Sequence, residues 1–421
     1  MTGQAAIVSW QQVDLAARLL PEISMIAEDA IDALNAWLTK AGLRGEPETA
    51  LVNGFCERAV AAGLPISRAQ VFIDTLHPVH EGRLVRWGHD PSQPAVVEYG
   101  RTALPEGVSD PHLADSEAAA RWRASPFFHL LQTGESLLRR RLTTASDPEY
   151  SFLREHRAVG MTDYVAIIDR FAPEGVIGEM DCVYSSWMTA RAEGFADAHI
   201  AALTRVVPNL ALAFKAVALA RMTGTLMETY LGRDAGRRVL SGRIMRGVTE
   251  RIDAVIWFSD LRGFTRITDS APEEIIPLLN DYADVIVSAI HAQGGDVLKL
   301  IGDGILAIFA AADRARACAA ALAAATAARS EVAALNLRRA RDGLPVTDLY
   351  LGLHVGEVFY GNIGSIERLG WSALWRADHG GHEGGLGRRA WAVAQAIPGA
   401  FGSQGAAADV SALRSGVDRP G

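Results

Sequence analysis

Cysteine and lysine are both scarce in this sequence of 421 residues. The three cysteines, Cys56, Cys182 and Cys318, are far apart and odd in number, which argues against a disulfide framework and against a zinc-ligand spacing. Positive charge is also in short supply, since the formal net charge is -8. Nucleic-acid binding needs a concentrated basic surface, so we expect no nucleic-acid partner.

Long uninterrupted apolar segments are missing as well. Asp14 and Arg18 interrupt the first apolar stretch, so no signal peptide is visible. The most apolar later window, residues 206–222, contains Lys215 and Arg221, whereas a membrane-spanning helix needs about 20 apolar residues. The sequence therefore predicts a cytoplasmic protein with no membrane span.

The length predicts more than one domain, because single hydrophobic cores stop growing at about 250 to 300 residues. Residues 1–45 have apolar positions at helical spacing and form a predicted N-terminal helical segment. Residues 46–222 mix helices with short strands. The predicted elements are a helix at 50–62, strands at 70–75 and 83–87, a loop at 88–109, a helix at 127–141, strands at 163–169 and 176–183, and a long helix at 197–222.

This order of elements, and the segment from Gly160 to Lys215 in particular, resembles a GAF-type sensor domain. The resemblance implies a GAF-like α+β domain at residues 46–222, and a plain α+β domain without a ligand is the alternative. Residues 223–252 follow as a predicted helical linker with a break near Gly242. Such a linker either passes conformational changes between domains or is an inert spacer.

Residues 253–369 have the clearest element pattern. The run DAVIWF at Asp253–Phe258 has the length and apolar character of a strand buried on both faces. Ser270 and Glu273 form a predicted capping box at the start of the next helix, and Pro277 is expected to kink that helix.

Two apolar runs follow, at residues 297–301 and 305–309, and Asp303 with its flanking glycines joins them as a predicted hairpin turn. The remaining predicted elements are a helix at 313–341 and strands at 348–354 and 357–362. This βα, hairpin, α, β order is the layout of a ferredoxin-like α+β core.

Two carboxylates are predicted to meet at one edge of this core. Asp260 follows the first strand, and Asp303 lies at the hairpin tip. Such a pair could hold two divalent ions, Mg²⁺ or Mn²⁺, for phosphoryl-transfer chemistry. The alternative is that Asp260 caps the following turn and Asp303 is only a turn former.

Three strings, FSDLRGFT, GGDVLKLIGDGILAIF and GLHVGEVFYGNIG, occur in an order and spacing that resemble the catalytic domain of class III adenylate and guanylate cyclases. The resemblance implies that Asp260 and Asp303 bind two metal ions with help from the Leu261 carbonyl. It also implies that Lys299 contacts the purine ring and selects ATP over GTP. The loop positions assigned to the substrate in the same way are Gly263, Phe264 and Thr265.

The implied reaction converts ATP to 3',5'-cyclic AMP and pyrophosphate at the interface of a head-to-tail dimer. A P-loop mechanism is excluded, because none of the three lysines lies in a GxxxxGK[ST] context. The alternative function, from a different class, is a catalytically inactive regulator that binds nucleotide or dimerises.

The resemblance stops after Leu369. The family continues with an asparagine that orients the ribose and an arginine that stabilises the transition state, but no asparagine follows Asn362. Residues 370–421 contain eleven glycines and are predicted to be irregular, so the core is expected to be incomplete at its C-terminus. We hypothesise a frameshifted tail, with activity impaired in the homodimer and rescued in a heterodimer with an intact cyclase.

Overall fold

The chain divides into two compact units, Met1–Thr223 and Gly224–Gly421. A computed structural model of the protein describes residues 28–100, 116–142, 148–310, 312–365, 367, 369–376 and 391–393. The predicted helical segment at 1–45 is therefore described only from residue 28, and its first half lies outside the described residues.

The first unit contains a six-stranded antiparallel sheet in the order β3-β2-β1-β6-β5-β4. Its strands are β1 (Arg68–Asp74), β2 (His80–Trp87), β3 (Val96–Gly100), β4 (Leu137–Arg141), β5 (Asp163–Arg170) and β6 (Cys182–Thr189). All eight residues of β6 are buried, so both faces of the sheet are covered at its centre.

Five shorter helices and the start of a long one accompany this sheet. They are α1 (Glu28–Leu43), α2 (Glu48–Ala61), α3 (Glu117–Arg123), α4 (Pro126–Thr133), α5 (Phe152–Ala158) and α6 (Asp197–Leu231). Phe127, Leu130 and Leu153 from the short helices pack with Tyr164 and Tyr184 on one face of the sheet. The likeness to GAF domains stays a prediction.

Three sequence predictions for this unit are wrong in part. The predicted helix at 127–141 ends at Gly134, whose φ of 76° is left-handed, and residues 137–141 form strand β4 instead. The strand predicted at 176–183 begins only at Cys182. Strand β3 lies inside the predicted 88–109 loop, of which residues 101–109 are outside the described part of the chain.

The predicted helical linker is helical only in its first half. Helix α6 runs on to Leu231, the break falls at Gly232 rather than near Gly242, and helix α7 occupies Arg233–Leu240. Gly232 has a φ of 87°, and a Cβ there would lie 2.3 Å from the Val297 carbonyl oxygen, so glycine is required at this close approach. The linker then gives way to a strand at residue 249, before its predicted end.

The second unit contains an antiparallel sheet in the order β12-β11-β10-β7-β9-β8. Its strands are β7 (Thr249–Leu261), β8 (Asp296–Ile301), β9 (Gly304–Ala310), β10 (Leu349–Gly364), β11 (Leu369–Arg376) and β12 (Trp391–Val393). The four consecutive strands β10-β7-β9-β8 have the order of a ferredoxin-like βαββαβ core. The predicted α+β fold of the cyclase core is confirmed.

Helices cover one face of this second sheet. They are α8 (Phe264–Ser270), α9 (Ile275–Ala292) and α10 (Arg314–Arg341). Leu278, Tyr282 and Ile286 of α9 pack with alanines of α10 and with Trp257 of the sheet. Helix α7 lies on the opposite face, where Ala235 packs with buried strand residues.

Three local predictions for this unit need correction. Ser270 ends helix α8 and donates to the Ile267 carbonyl, so it does not cap α9. Pro277 lies in the first turn of α9, where its missing N–H breaks no helical hydrogen bond. The two strands predicted around Gly356 form one continuous strand, β10.

The C-terminal segment is not uniformly irregular. Strand β11 pairs with β10 over seven residues, Asn362 lying opposite Trp371, and β12 pairs with β11. Trp371 is 5 % exposed and contacts the Tyr360 ring at a centroid distance of 5.1 Å. The apolar face of β10 therefore obtains its cover from residues that the composition alone assigns to a loop.

The expectation of no membrane span is not confirmed. Three helices in the described part of the chain are long and apolar enough to cross a membrane by length and composition: Asp197–Leu231, Pro272–Ala292 and Arg314–Arg341. The second and third of these coincide with α9 and α10, whose apolar residues pack on the sheet.

Candidate active site

Two aspartates meet where strand β7 ends beside the β8–β9 hairpin. Strand β7 extends to Leu261, so Asp260 lies within its last two residues rather than after it. The register pairs Ser259 with Ile305, which brings the hairpin tip and Asp303 beside Asp260. Neighbouring strands are about 4.8 Å apart, so this register alone brings the two side chains close together.

Both carboxylates converge on one backbone group. The Leu261 N–H donates to Asp260 Oδ1 at 3.2 Å and to Asp303 Oδ2 at 3.3 Å. Burial is the largest cause that raises the pKa of Asp260 to about 6, and the hydrogen bond and negative charge of Asp303 contribute to the same rise. Two partly buried acids that share one donor form a site of concentrated negative charge.

The loop after this pair has a fixed conformation. Gly263 has a φ of 71°, a left-handed value that glycine adopts without strain, and it directly precedes helix α8. Phe264 is the first residue of α8 and packs against the core, whereas Thr265 is exposed. The predicted substrate residues thus form the N-terminal end of a short helix next to the carboxylates.

Lys299 lies elsewhere, in a groove of about 1250 Å³. Its Nζ donates to Ser372 Oγ at 2.9 Å. The groove is lined by the end of α6, by Val297–Leu300 of β8 and by Leu369–Ser372 of β11. Neither Asp260 nor Asp303 is among its lining residues.

Ser372 is the site residue that sequence reasoning missed. It is 8 % exposed and lies in the segment predicted to be irregular. The run LGWSALW was the available signal, because seven residues with one polar member have the length and apolar character of a strand. The glycine-rich composition that follows it outweighed this local pattern.

Helix α7 is attached to the strand that carries Lys299. The backbone N–H groups of Arg233 and Asp234 each donate to the Asp296 carboxylate at 3.1 Å. Asp296 lies three residues before Lys299 on β8. The carboxylate thus satisfies two N–H groups at the helix start, which is a favourable interaction with the helix dipole.

We predict that Asp260→Asn stabilises the metal-free fold above pH 6. A pKa raised from 3.8 to about 6 means that the folded state holds the proton more tightly than the unfolded state. The protonated Asp260 carboxyl therefore favours folding below about pH 4, and this contribution is lost as the pH rises through 6. Partial exposure limits the expected gain of the variant to about 1 kcal/mol at pH 7.

Urea denaturation in EDTA from pH 4 to pH 8 measures this gain. Asp269→Asn, an exposed change on α8, is the matched control and should stay within about 0.5 kcal/mol of wild type. An Asp260→Asn gain that is independent of pH would contradict the proximity of the two carboxylates.

Comparisons with known proteins find similarity over the part of the chain that contains these residues. A family model described as the adenylate and guanylate cyclase catalytic domain matches residues 248–370. The chain is similar to adenylate cyclase 1 of Rhizobium meliloti, with 28 % identity over 154 residues that cover 34 % of this chain and 22 % of that protein. It is also similar to an adenylate cyclase of Anabaena cylindrica, with 33 % identity over 115 residues, 27 % of this chain and 23 % of that protein.

A solved structure, the adenylyl cyclase CyaB of P. aeruginosa, is similar at 25 % identity and a TM-score of 0.30, covering 31 % of this chain and 68 % of that one. The chain spans about a quarter of the length of the curated relatives it matches. The matched residues contain both aspartates, the lysine and the strands that present them. Residues 248–370 are thus the part of the chain that is similar to the catalytic domain of adenylate and guanylate cyclases.

Proposed function

We propose that the chain supplies the metal-binding half of an adenylate cyclase site that forms 3',5'-cyclic AMP and pyrophosphate from ATP. The observation that carries this proposal is the convergence of Asp260 and Asp303 on the Leu261 N–H. A divalent cation would offset the negative charge of carboxylates gathered in this way at a sheet edge.

The residues present fit a pair of Mg²⁺ or Mn²⁺ ions. Hard divalent cations prefer carboxylate and carbonyl oxygens, and Asp260, Asp303 and the Leu261 carbonyl are of that kind. Burial and the neighbouring Asp303 raise the pKa of Asp260, and a bound cation would favour its ionised form. When bound, such ions polarise the α-phosphate and lower the pKa of the attacking 3'-hydroxyl.

Lys299 and Ser372 are suited to recognise adenine. A lysine ammonium only donates hydrogen bonds, so it matches the acceptor at adenine N1, whereas guanine presents an N–H at that position. The Ser372 hydroxyl, 2.9 Å from the ammonium, can accept from the adenine amino group. We therefore assign ATP rather than GTP as the substrate.

The loop after Asp260 is suited to hold the phosphates. Gly263, Phe264 and Thr265 form the start of helix α8, where the first N–H groups of a helix have no intrahelical partner. Such N–H groups and the helix dipole favour bound phosphate. Positioning the nucleotide and stabilising its spread negative charge are the main tasks of the chain in this reaction.

The separation of the two half-sites supports a two-chain site. Lys299 lines a groove that neither aspartate lines, which supports a site whose two sets of groups come from different chains. We therefore propose a head-to-tail dimer in which the aspartates of one chain face the lysine groove of the other. The missing asparagine and arginine would leave both sites of a homodimer impaired, and an intact cyclase partner would complete one of them.

A catalytically inactive regulator is the second candidate. It is favoured by one specific observation, the absence of any asparagine after Asn362. A chain that dimerises and binds nucleotide without turning it over would still use the Lys299 groove.

Residues 46–222 are proposed to act as a GAF-like sensor domain, and the protein is proposed to be cytoplasmic. Helix α6 leaves this unit and ends beside Gly232, from which α7 is tied to the strand of Lys299. This continuity supports regulation of the cyclase domain by the preceding unit.

The test is formation of cyclic AMP from Mn²⁺ and ATP, detected by mass spectrometry. We expect a slow reaction with ATP, less product from GTP, and complete loss in Asp260→Ala, because that change removes one of the two predicted metal ligands. A product that forms equally well in Asp260→Ala would contradict the catalytic role, and nucleotide binding without any product would favour the regulator.

A further inference from the structure

The backbone that follows the two aspartates is held from outside the site. The Arg262 N–H donates to the Asp348 carbonyl at 2.8 Å, and the Arg262 carbonyl accepts from Thr347 Oγ1 at 2.7 Å. Arg262 directly follows Leu261, whose N–H contacts both carboxylates. The backbone N–H and the backbone carbonyl of Arg262 are therefore both held by the connection between α10 and β10.

Thr347 is itself held by the buried Tyr282 and the half-buried Asn336. Its backbone N–H donates to the Tyr282 hydroxyl at 2.9 Å, and its carbonyl accepts from Asn336 Nδ2 at 2.7 Å. The Tyr282 hydroxyl in turn donates to the Asn336 side-chain oxygen. Tyr282 is 1 % exposed and Thr347 is 6 % exposed, so these two members of the network are shielded from water. A fully satisfied buried network of this kind specifies one local conformation.

A buried arginine fixes the same connection one turn earlier. Arg339 is 3 % exposed, its Nε donates to the Pro345 carbonyl at 2.9 Å, and its guanidinium pairs with Asp281. Asp281 and Tyr282 are adjacent on α9, so side chains of α9 and α10 together hold the segment that ends at Thr347. The segment has little freedom to follow a displaced loop.

We propose that Thr347 is a positioning residue that sets the metal affinity of the Asp260 and Asp303 pair. It does so through the Arg262 carbonyl, by holding the peptide that continues from Leu261 in one orientation. The inference rests on the proposed function, since it concerns the metal ions assigned there. Nothing in the sequence motifs pointed to this residue, which lies before the third motif string.

The physical reason is the loss of one hydrogen-bond donor. Thr347→Val keeps the volume and branching of the side chain but leaves the partly buried Arg262 carbonyl without its partner. The loop can then rotate to solvate that carbonyl, which moves the Leu261 peptide and the carboxylates that share its N–H. Outer hydrogen-bond partners of metal ligands change metal affinity by about 10- to 100-fold.

The test measures Mn²⁺ binding to the full-length chain by electron paramagnetic resonance of the free ion. We expect Thr347→Val to bind Mn²⁺ at least about 10-fold more weakly than wild type, and Thr347→Ser, which keeps the hydroxyl, to stay within about 3-fold. Thr326→Val is the matched control: it removes an exposed hydroxyl that donates to a carbonyl within α10 and should change nothing. Tyr282→Phe, which frees the Thr347 peptide while keeping the ring, is expected to weaken binding by about 3- to 10-fold and serves if Thr347→Val does not fold.

The Asp260→Asn variant distinguishes failure of the positioning role of Thr347 from failure of the metal site. If it abolishes Mn²⁺ binding while Thr347→Val and Tyr282→Phe bind as wild type, the positioning role is wrong and the metal site stands. If the wild-type chain binds no Mn²⁺, both the metal site and the positioning role are wrong. Equal weakening in Thr347→Val and Thr347→Ser would also overturn the role assigned to the hydroxyl.

Discussion

Cyclic AMP formation is expected to rise at least about 100-fold over that of this chain alone when a bacterial adenylate cyclase domain is added. The added domain keeps its lysine, asparagine and arginine, but its own metal aspartates are replaced by asparagine. In the proposed arrangement, each protein alone lacks some of the groups that its two sites need. In the mixed dimer, one site combines Asp260 and Asp303 of this chain with the lysine, asparagine and arginine of the other. Loss of a single transition-state donor typically costs about 10² to 10³ in rate, which sets the expected gain.

The two half-sites of this chain should respond differently in the mixed dimer. Asp260→Ala is expected to remove the gained activity, because it empties the only complete site. Lys299→Ala is the matched control and should change the rate less than about twofold, since Lys299 faces the site whose aspartates are absent. A mixed dimer that forms but gains no activity, or one that depends on Lys299 and not on Asp260, would contradict the proposed arrangement.

Trp371→Ala is expected to lower the free energy of unfolding of the C-terminal unit by about 3 kcal/mol. Truncating a buried tryptophan removes its transfer free energy and leaves a cavity, a combined cost of about 3 to 5 kcal/mol. The Trp371 ring packs on Tyr360, with the Arg238 guanidinium 5.4 Å from its centre, so the loss affects β10 and α7 together.

Urea denaturation followed by circular dichroism measures this effect. Leu369→Ala is the control, because Leu369 lies on the same strand but is 37 % exposed, and it should cost less than about 1 kcal/mol. If Trp371→Ala is as stable as wild type, strand β11 contributes no cover to the sheet, and the C-terminal segment is as irregular as its composition suggests.

The site could be predicted from the sequence where local signals and fold requirements agree. Gly302 and Asp303 between two apolar runs specify a two-residue hairpin, and that hairpin is present. The apolar run at Asp253–Phe258 lies in the central strand β7, so Asp260 necessarily reaches the same edge. Antiparallel pairing of β7 with β9 then brings the two aspartates together.

Predictions failed where a local pattern competed with tertiary contacts. The Ser270 and Glu273 spacing matches a capping box, but a separate short helix, α8, uses Ser270 as its last residue. Residues 137–141 continue an apolar helical pattern, yet Gly134 ends the helix and β5 offers a strand edge for pairing. For residues 137–141 the pairing partner, β5, is distant in sequence, so periodicity alone could not identify it.

Composition was misleading for the C-terminal segment. Eleven glycines after Leu369 indicate loop structure on average, but only the first of them, Gly370, lies inside β11. The strand forms because the exposed edge of β10 needs a pairing partner and its apolar face needs cover. Ser372 therefore reaches Lys299, a contact that no motif string contains.

Anomalous X-ray diffraction at the manganese edge, from crystals grown with Mn²⁺ and a non-hydrolysable ATP analogue, would show directly whether Asp260 and Asp303 bind metal ions together. We expect two manganese peaks, about 3.5 to 4 Å apart, between the carboxylates of Asp260 and Asp303. Manganese bound elsewhere, with these two side chains turned away from each other, would contradict it.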